Sequence, residues 1–134
     1  MINITKKQRY GVAAMLDIAL HQAQHPVSVL AIAKRQGISP SYVEQILAKL
    51  KRAHLVQSMR GPGGGYRLAL DGEDMTIERI VNALEAVSFK GESESEESEL
   101  TAFLWEKLST QTKHFLQNVT IAQVFENKKK AIHW

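Results

Sequence analysis

The amino-acid sequence predicts a mainly α fold with one small β-hairpin wing: a winged helix-turn-helix unit followed by a long C-terminal dimerisation helix. Three observations carry that class. Two amphipathic segments, SVLAIAKRQG and ISPSYVEQILAKLKRAH, meet across Gly37, which is the helix, tight turn, helix pattern of units that read a major groove. Two runs of strand character, LVQSM and YRLAL, flank a glycine-rich loop directly after them. Nearer the end, ELTAFLWEKLSTQTKHFLQNV spreads apolar residues along one broad helical face.

The elements follow in order. Residues 5–22 place Val12, Met15, Leu16, Ala19 and Leu20 at helical spacing, and the helix must end before Pro26. In the second helix Ser28 caps the start, Leu30, Ile32 and Ala33 are expected to face inward, and Gly37 supplies the left-handed stop. The third helix has two readable starts: Ser39 as cap with Pro40 in the first position, or Ser41 with Glu44 as a capping box one turn further in. Val43, Ile46, Leu47 and Leu50 form its inward stripe. Counting about 100° per residue sends Ser41, Gln45, Ala48, Lys49 and Arg52 outward, so the exposed face is polar and basic.

In the hairpin, Tyr66, Leu68 and Leu70 lie on one face, with Arg67 and Ala69 on the other. GPGGG makes a thin tip with little side-chain bulk. Arg60 stands at its root, where an arginine can enter a narrow minor groove and read its concentrated negative potential. The bland reading is a plain hairpin with a solvated Arg60. A phosphate-cradling loop is disfavoured, because no G-x-x-x-x-G-K-[ST] pattern and no strand-loop-helix setting are present.

MTIERIVNALEAV places Ile77, Ile80, Val81, Leu84 and Val87 on one helical face behind a Thr76 cap. FKGESESEESE is acidic and without apolar anchors, the composition of a mobile loop. The long helix then presents Leu100, Phe103, Leu104, Leu108, Phe115, Leu116 and Val119, more apolar surface than the rest of one chain readily covers. A second copy is the expected cover, with Leu100, Phe103, Leu104, Leu108, Phe115 and Val119 in the seam; folding back on its own domain is the alternative. Thr120 with Gln123 reads as a capping box for a short last helix, IAQVFEN, before the tail KKKAIHW. The expected division is residues 1–87 as the DNA-binding unit, 88–98 as the flexible acidic loop, and 99–134 as the dimerisation helix and last helix.

Composition narrows the function. Residues 1–70 carry ten Lys or Arg against Asp17 and Glu44 alone, while residues 71–127 carry twelve acids against four bases. A basic half beside an acidic half is the footprint of a phosphate-binding face. With no cysteine in 134 residues, disulfides, thiolate nucleophiles and cysteine-ligated zinc or iron-sulfur centres are excluded. No apolar run is long enough to span a bilayer and no secretory leader is visible, so a cytoplasmic location without a membrane partner is expected. His21 and His25 are four apart, but Pro26 follows and no third ligand accompanies them. His54, His114 and His133 are isolated, and no nucleophile-base pairing motif occurs, so neither a metal nor an enzyme is expected.

The stretches RYGVAAMLDIAL, RQGISPSYVEQILAKLKRAHLV and RGPGGGYRL resemble the Rrf2 family of bacterial transcription regulators, above all its iron-sulfur cluster regulators, and LWEKLSTQTKHFLQNVTIAQV extends the resemblance more loosely. It implies a winged-helix homodimer on a pseudo-palindromic double-stranded DNA operator, repressing or activating transcription. On matching positions Ser39, Ser41, Tyr42, Glu44 and Gln45 would meet bases and phosphates, and Arg60 with Gly61, Pro62, Gly63, Gly64 and Gly65 would form the minor-groove wing. Glu44 would select a base; its alternative is to cap with Ser41. Cluster-binding members carry three cysteines and a histidine in the acidic-loop region, where this chain has Glu and Ser, with Glu99 at the last cysteine and Ala102 at the histidine. Gln8 and Val12 cannot replace thiolates, so no cofactor is expected. That leaves a cluster-free relative, a sensor of another ligand, or a form whose cysteines were replaced.

The expected function is therefore a sequence-specific DNA-binding regulator, a repressor by preference. The alternative is a winged-helix module that takes a protein or small-molecule effector through the acidic loop, the long helix, or Trp105 and Phe103.

Overall fold

The structure, a computed structural model, describes residues 4–85 and 99–130. Its elements are α1 (Lys6–His21), α2 (Val29–Gln36), α3 (Pro40–Arg52), β1 (Val56–Met59), β2 (Gly65–Leu68), α4 (Ile77–Leu84), α5 (Glu99–Asn118) and α6 (Ile121–Lys130). The acidic loop, Val87 and the final tail residues, including His133, lie outside the described residues.

Local chemistry sets most boundaries. Thr5 and Gln8 form a reciprocal capping box on α1, Ser28 caps α2 and Thr76 caps α4. Of the two starts for α3, the chain uses Ser39, whose hydroxyl accepts from the Tyr42 amide at 3.1 Å with Pro40 in the first turn. Ser41 is therefore inside the helix, and a capping role for Glu44 falls away. Thr120 and Gln123 exchange bonds of 2.9 and 3.2 Å at the start of α6, which runs on past IAQVFEN to Lys130.

One core unites these elements: Met15 and Ile18 of α1, Ile32 of α2, Val43, Ile46, Leu47 and Leu50 of α3, Ile80 of α4 and Ile121 of α6 are all buried together. Leu30 departs from expectation. It is 70% exposed, while Ile32 and Ala33 face the core. Two residues along a helix are about 200° apart, so Leu30 cannot share the side that Ile32 occupies.

The hairpin pairs Val56 with Leu68 and Met59 with Gly65 in antiparallel register. A third segment joins it: Val27, just before α2, exchanges backbone bonds of 2.9 and 2.8 Å with Tyr66. A second tie closes the chain on itself, with the Ile77 amide donating to Val119 and the Ile121 amide to Met75, both at 2.9 Å. The α5–α6 junction is thereby fastened to the turn before α4.

Candidate nucleic-acid interface

The helix-turn-helix is α2 and α3, and one clamp fixes its angle to α1. The side chain of Asp17, 2% exposed, receives Arg35 Nη2 at 2.7 Å, Arg35 Nε at 3.0 and 3.2 Å, and Gln36 Nε2 at 3.0 Å. Burial raises the affinity of this carboxylate for a proton. Hydrogen bonds from Arg35 and Gln36, with the charges of Arg35 and His21, outweigh that and hold its pKa below the usual carboxylate value. The same pairing raises the pKa of Arg35.

On α3, Ser41, Glu44, Gln45, Ala48 and Arg52 are exposed. Among the described residues the side chains of Glu44, Arg52 and Arg60 make no hydrogen bond or ion pair. Tyr42 is half-buried and its ring meets Tyr10 of α1 edge-on, centroids 5.8 Å apart at 88°. Tyr10 was not singled out from the sequence, since nothing local marks a ring that orients another across two helices. The other bases of α3 are diverted: Lys51 Nζ donates to Ser58 Oγ at 2.9 Å, and half-buried Lys49 reaches the Leu84 carbonyl at 3.4 Å, at the end of α4. Lys49 keeps two ammonium hydrogens and its charge beyond this contact.

The wing divides its glycines. Gly61 and Gly63 adopt φ of 100° and 74°, open to a residue without Cβ, and with Pro62 they form the exposed tip. Gly64 and Gly65 are half-buried instead. A Cβ on Gly64 would strike the carbonyls of Met59 and Gly61, and one on Gly65 the carbonyl of Val27. Gly65 is already the first residue of β2. These two glycines bring backbones together, while the tip with exposed Arg60 at its root is left to reach outward.

Along α5, Leu100 (85% exposed), Phe103, Leu104, Leu108 and Phe115 lie open, an apolar stripe of the kind that marks an interaction surface. Val119 is not part of it. It is buried within its own chain, its carbonyl bonded to the Ile77 amide, because the α5–α6 junction turns back onto the winged unit.

Among the described residues no group of three or more His, Asp or Glu side chains could hold a metal, and without thiolates the chain does not fit an iron-sulfur cluster. No helix among them is long and apolar enough to cross a membrane.

A capped helix with a polar exposed face, a glycine-built wing carrying an arginine, and a basic first half define a winged-helix transcription regulator. Comparison with known proteins gives the same class: residues 4–127 match the Rrf2 family, described as an iron-dependent transcriptional regulator. The chain belongs to that family. It is 42% identical over 134 residues to the HTH-type transcriptional regulator IscR of Vibrio campbellii, covering 96% of this chain and 80% of that protein. The IscR of Vibrio cholerae is 43% identical over 129 residues, covering 92% and 75%. Among solved structures it is similar to CymR, the global cysteine regulator of B. subtilis (TM-score 0.85, 31% identity, covering 92% of this chain and 96% of that one). The IscR of T. potens superposes with a TM-score of 0.80 at 36% identity, covering 98% and 92%.

Proposed function

We propose that the protein binds a pseudo-palindromic DNA operator as a homodimer and represses transcription in the cytoplasm, without a cysteine-ligated cluster. The observation that carries this reading is the set of exposed, protein-unpartnered groups on α3 and the wing: Glu44 and Arg52 on the helix, Arg60 beside the glycine tip. Polar side chains held at the N-terminal half of a recognition helix read base edges, and Glu44 suits the amino group of a cytosine. Ser39 accepts the Tyr42 amide at the cap and keeps its hydroxyl hydrogen to donate to DNA, beside Ser41 and Gln45 as neutral readers and Tyr42 as a contact braced by Tyr10. Arg60 enters the flanking minor groove, which the slim tip of Gly61, Pro62 and Gly63 permits.

The second copy docks on the α5 stripe, with Phe103, Leu104 and Leu108 at its centre. Covering such surface favours association, offset by the translational and rotational freedom that the second copy loses. Residues 1–87 serve as the DNA-reading unit and the segment after residue 98 as the dimerising unit. A protein or small-molecule effector, rather than a cluster, sets any response.

The test is selection from randomised duplexes by purified, metal-free protein at salt high enough to suppress non-specific binding. Enrichment of a two-fold-symmetric site supports the reading. No enrichment, from protein shown to be folded and dimeric, overturns unaided DNA recognition and favours the effector-dependent module.

A further inference from the structure

A cavity of about 360 Å³ opens between the end of α1, the start of α2 and the wing tip, lined in part by His21, His25, Ser28, Arg35, Gly63 and Gly64. Its polar groups share one character. His21 Nδ1 lies 2.8 Å from the Asp17 carbonyl and His25 Nδ1 2.8 Å from the Pro26 carbonyl. A carbonyl can only accept, so both rings carry their neutral-state proton on Nδ1, and Nε2 is the atom left to gain one. Arg35 spends Nε and Nη2 on Asp17, and among the described residues Nη1 keeps both hydrogens uncommitted. Asp17 on α1 and Arg35 on α2 are the charged groups against His21, the wing side supplies only glycines, and the Asp17 carboxylate is already occupied by Arg35 and Gln36. The lining thus holds no carboxylate, one uncommitted guanidinium nitrogen and two imidazole Nε2 atoms able to take up a proton.

We propose that this cavity is a binding site for a phosphate-type oxyanion, held by Arg35 Nη1 and by the protonated imidazoles of His21 and His25. Two donors become available only on protonation at Nε2, so the bound state takes up protons and affinity rises as pH falls. The space exceeds what a bare oxyanion fills and admits the substituent of a phosphate ester. The occupant is either a free phosphorylated molecule or a backbone phosphate of DNA beside the wing; only the second source rests on the DNA-binding reading.

The experiment uses the full-length protein with ¹³C at histidine Cε1, titrated with sodium sulfate against sodium chloride of equal ionic strength at pH 6 and pH 8. Sulfate serves as probe because its own charge is constant over that range. The His21 and His25 signals are expected to shift saturably while His114 on α5 stays still, with affinity about tenfold higher at pH 6, the loss expected when charge-assisted bonds are removed. Addition of a selected duplex then separates the sources: displacement of sulfate assigns the site to backbone phosphate, and retention assigns it to a free ligand. His21→Gln and His25→Gln are each expected to weaken sulfate binding at pH 6 without lowering the melting temperature in chloride. If His21 and His25 respond to neither sulfate nor duplex more than His114 does, the proposal is wrong; sulfate binding with no duplex binding would overturn the DNA-reading function alone.

Discussion

Asp17→Asn should destabilise the fold by about 2–3 kcal/mol at pH 7, and the loss should vanish in acid. The carboxylate accepts Arg35 twice over and Gln36 once more while its side chain is 2% exposed. Breaking a buried pair by removing one partner costs about 3–5 kcal/mol. Arg35 is 37% exposed and can rehydrate its charge, which brings the figure to the low end of that range and below it. Because the folded carboxylate titrates below its ordinary value, the unfolded chain binds the proton first as pH falls. The contribution is complete above the unfolded pKa of about 3.9 and is lost as pH drops through the lower folded value. Urea unfolding at fixed protein concentration should place the variant midpoint about 1–2 M below the native one at pH 7, for a urea slope of about 1–3 kcal/mol/M. The two curves should converge as pH falls through the lowered folded pKa of Asp17. Equal midpoints at pH 7, or a gap that persists undiminished into acid, would refute the claim that this pair holds α2 against α1.

Arg60→Ala should weaken binding to a selected operator by about 1–3 kcal/mol, measured by fluorescence anisotropy, with unchanged thermal stability. Arg52→Ala should reduce the slope of log affinity against log salt by about 1, and Lys49→Ala should lower stability as well as that slope, because its ammonium also donates to the Leu84 carbonyl. Gly65→Ala drives a Cβ into the Val27 carbonyl and should cost about 2 kcal/mol in thermal unfolding by parting Val27 from Tyr66. Leu104→Lys, in the exposed stripe of α5, should shift sedimentation equilibrium toward monomer; an unchanged association constant places the dimer seam elsewhere.

What the sequence made legible was local. Caps at Ser28, Ser39, Thr76 and Thr120, the inward stripe of α3 and the alternation of Tyr66 and Leu68 are settled within a turn or a few residues, so periodicity and side-chain type suffice. What it did not reveal was set by distant chain. Lys49 looks outward by helical phase, and nothing local shows that its ammonium also reaches the carbonyl end of α4, 35 residues on. Five wing residues read alike as loop, but only contact with Val27 shows that Gly65 is kept small for close packing. Nothing in the sequence marks Gln8 as a core residue; it is buried, and its Nε2 donates to the carbonyls of Val81 and Glu85, at 3.1 and 2.8 Å. Leu30 failed for a local reason, since a short helix with several apolar residues does not say which of them wins the core.

The long helix shows how these ties bear on function. Exposure falls along α5 from Leu100 at 85% to Leu116 at 8%, and the chain beyond enters the core at Ile121, hydrogen-bonded to the turn before α4. The helix is therefore anchored at its C-terminal end and open at its N-terminal end, where the apolar stripe is most exposed. A partner seated on that stripe is connected to α4 through backbone hydrogen bonds, not through a linker. The end of α4 is in turn held by Gln8 of α1 and Lys49 of α3, and Leu84 lies where a Cβ on Gly11 would be. In the proposed dimer, spacing between the two α3 helices would then follow from dimer geometry with little slack. Such a dimer should tolerate base changes within a half-site one at a time, yet lose binding sharply when one base pair is inserted between half-sites, since that rotates one of them by about a tenth of a helical turn.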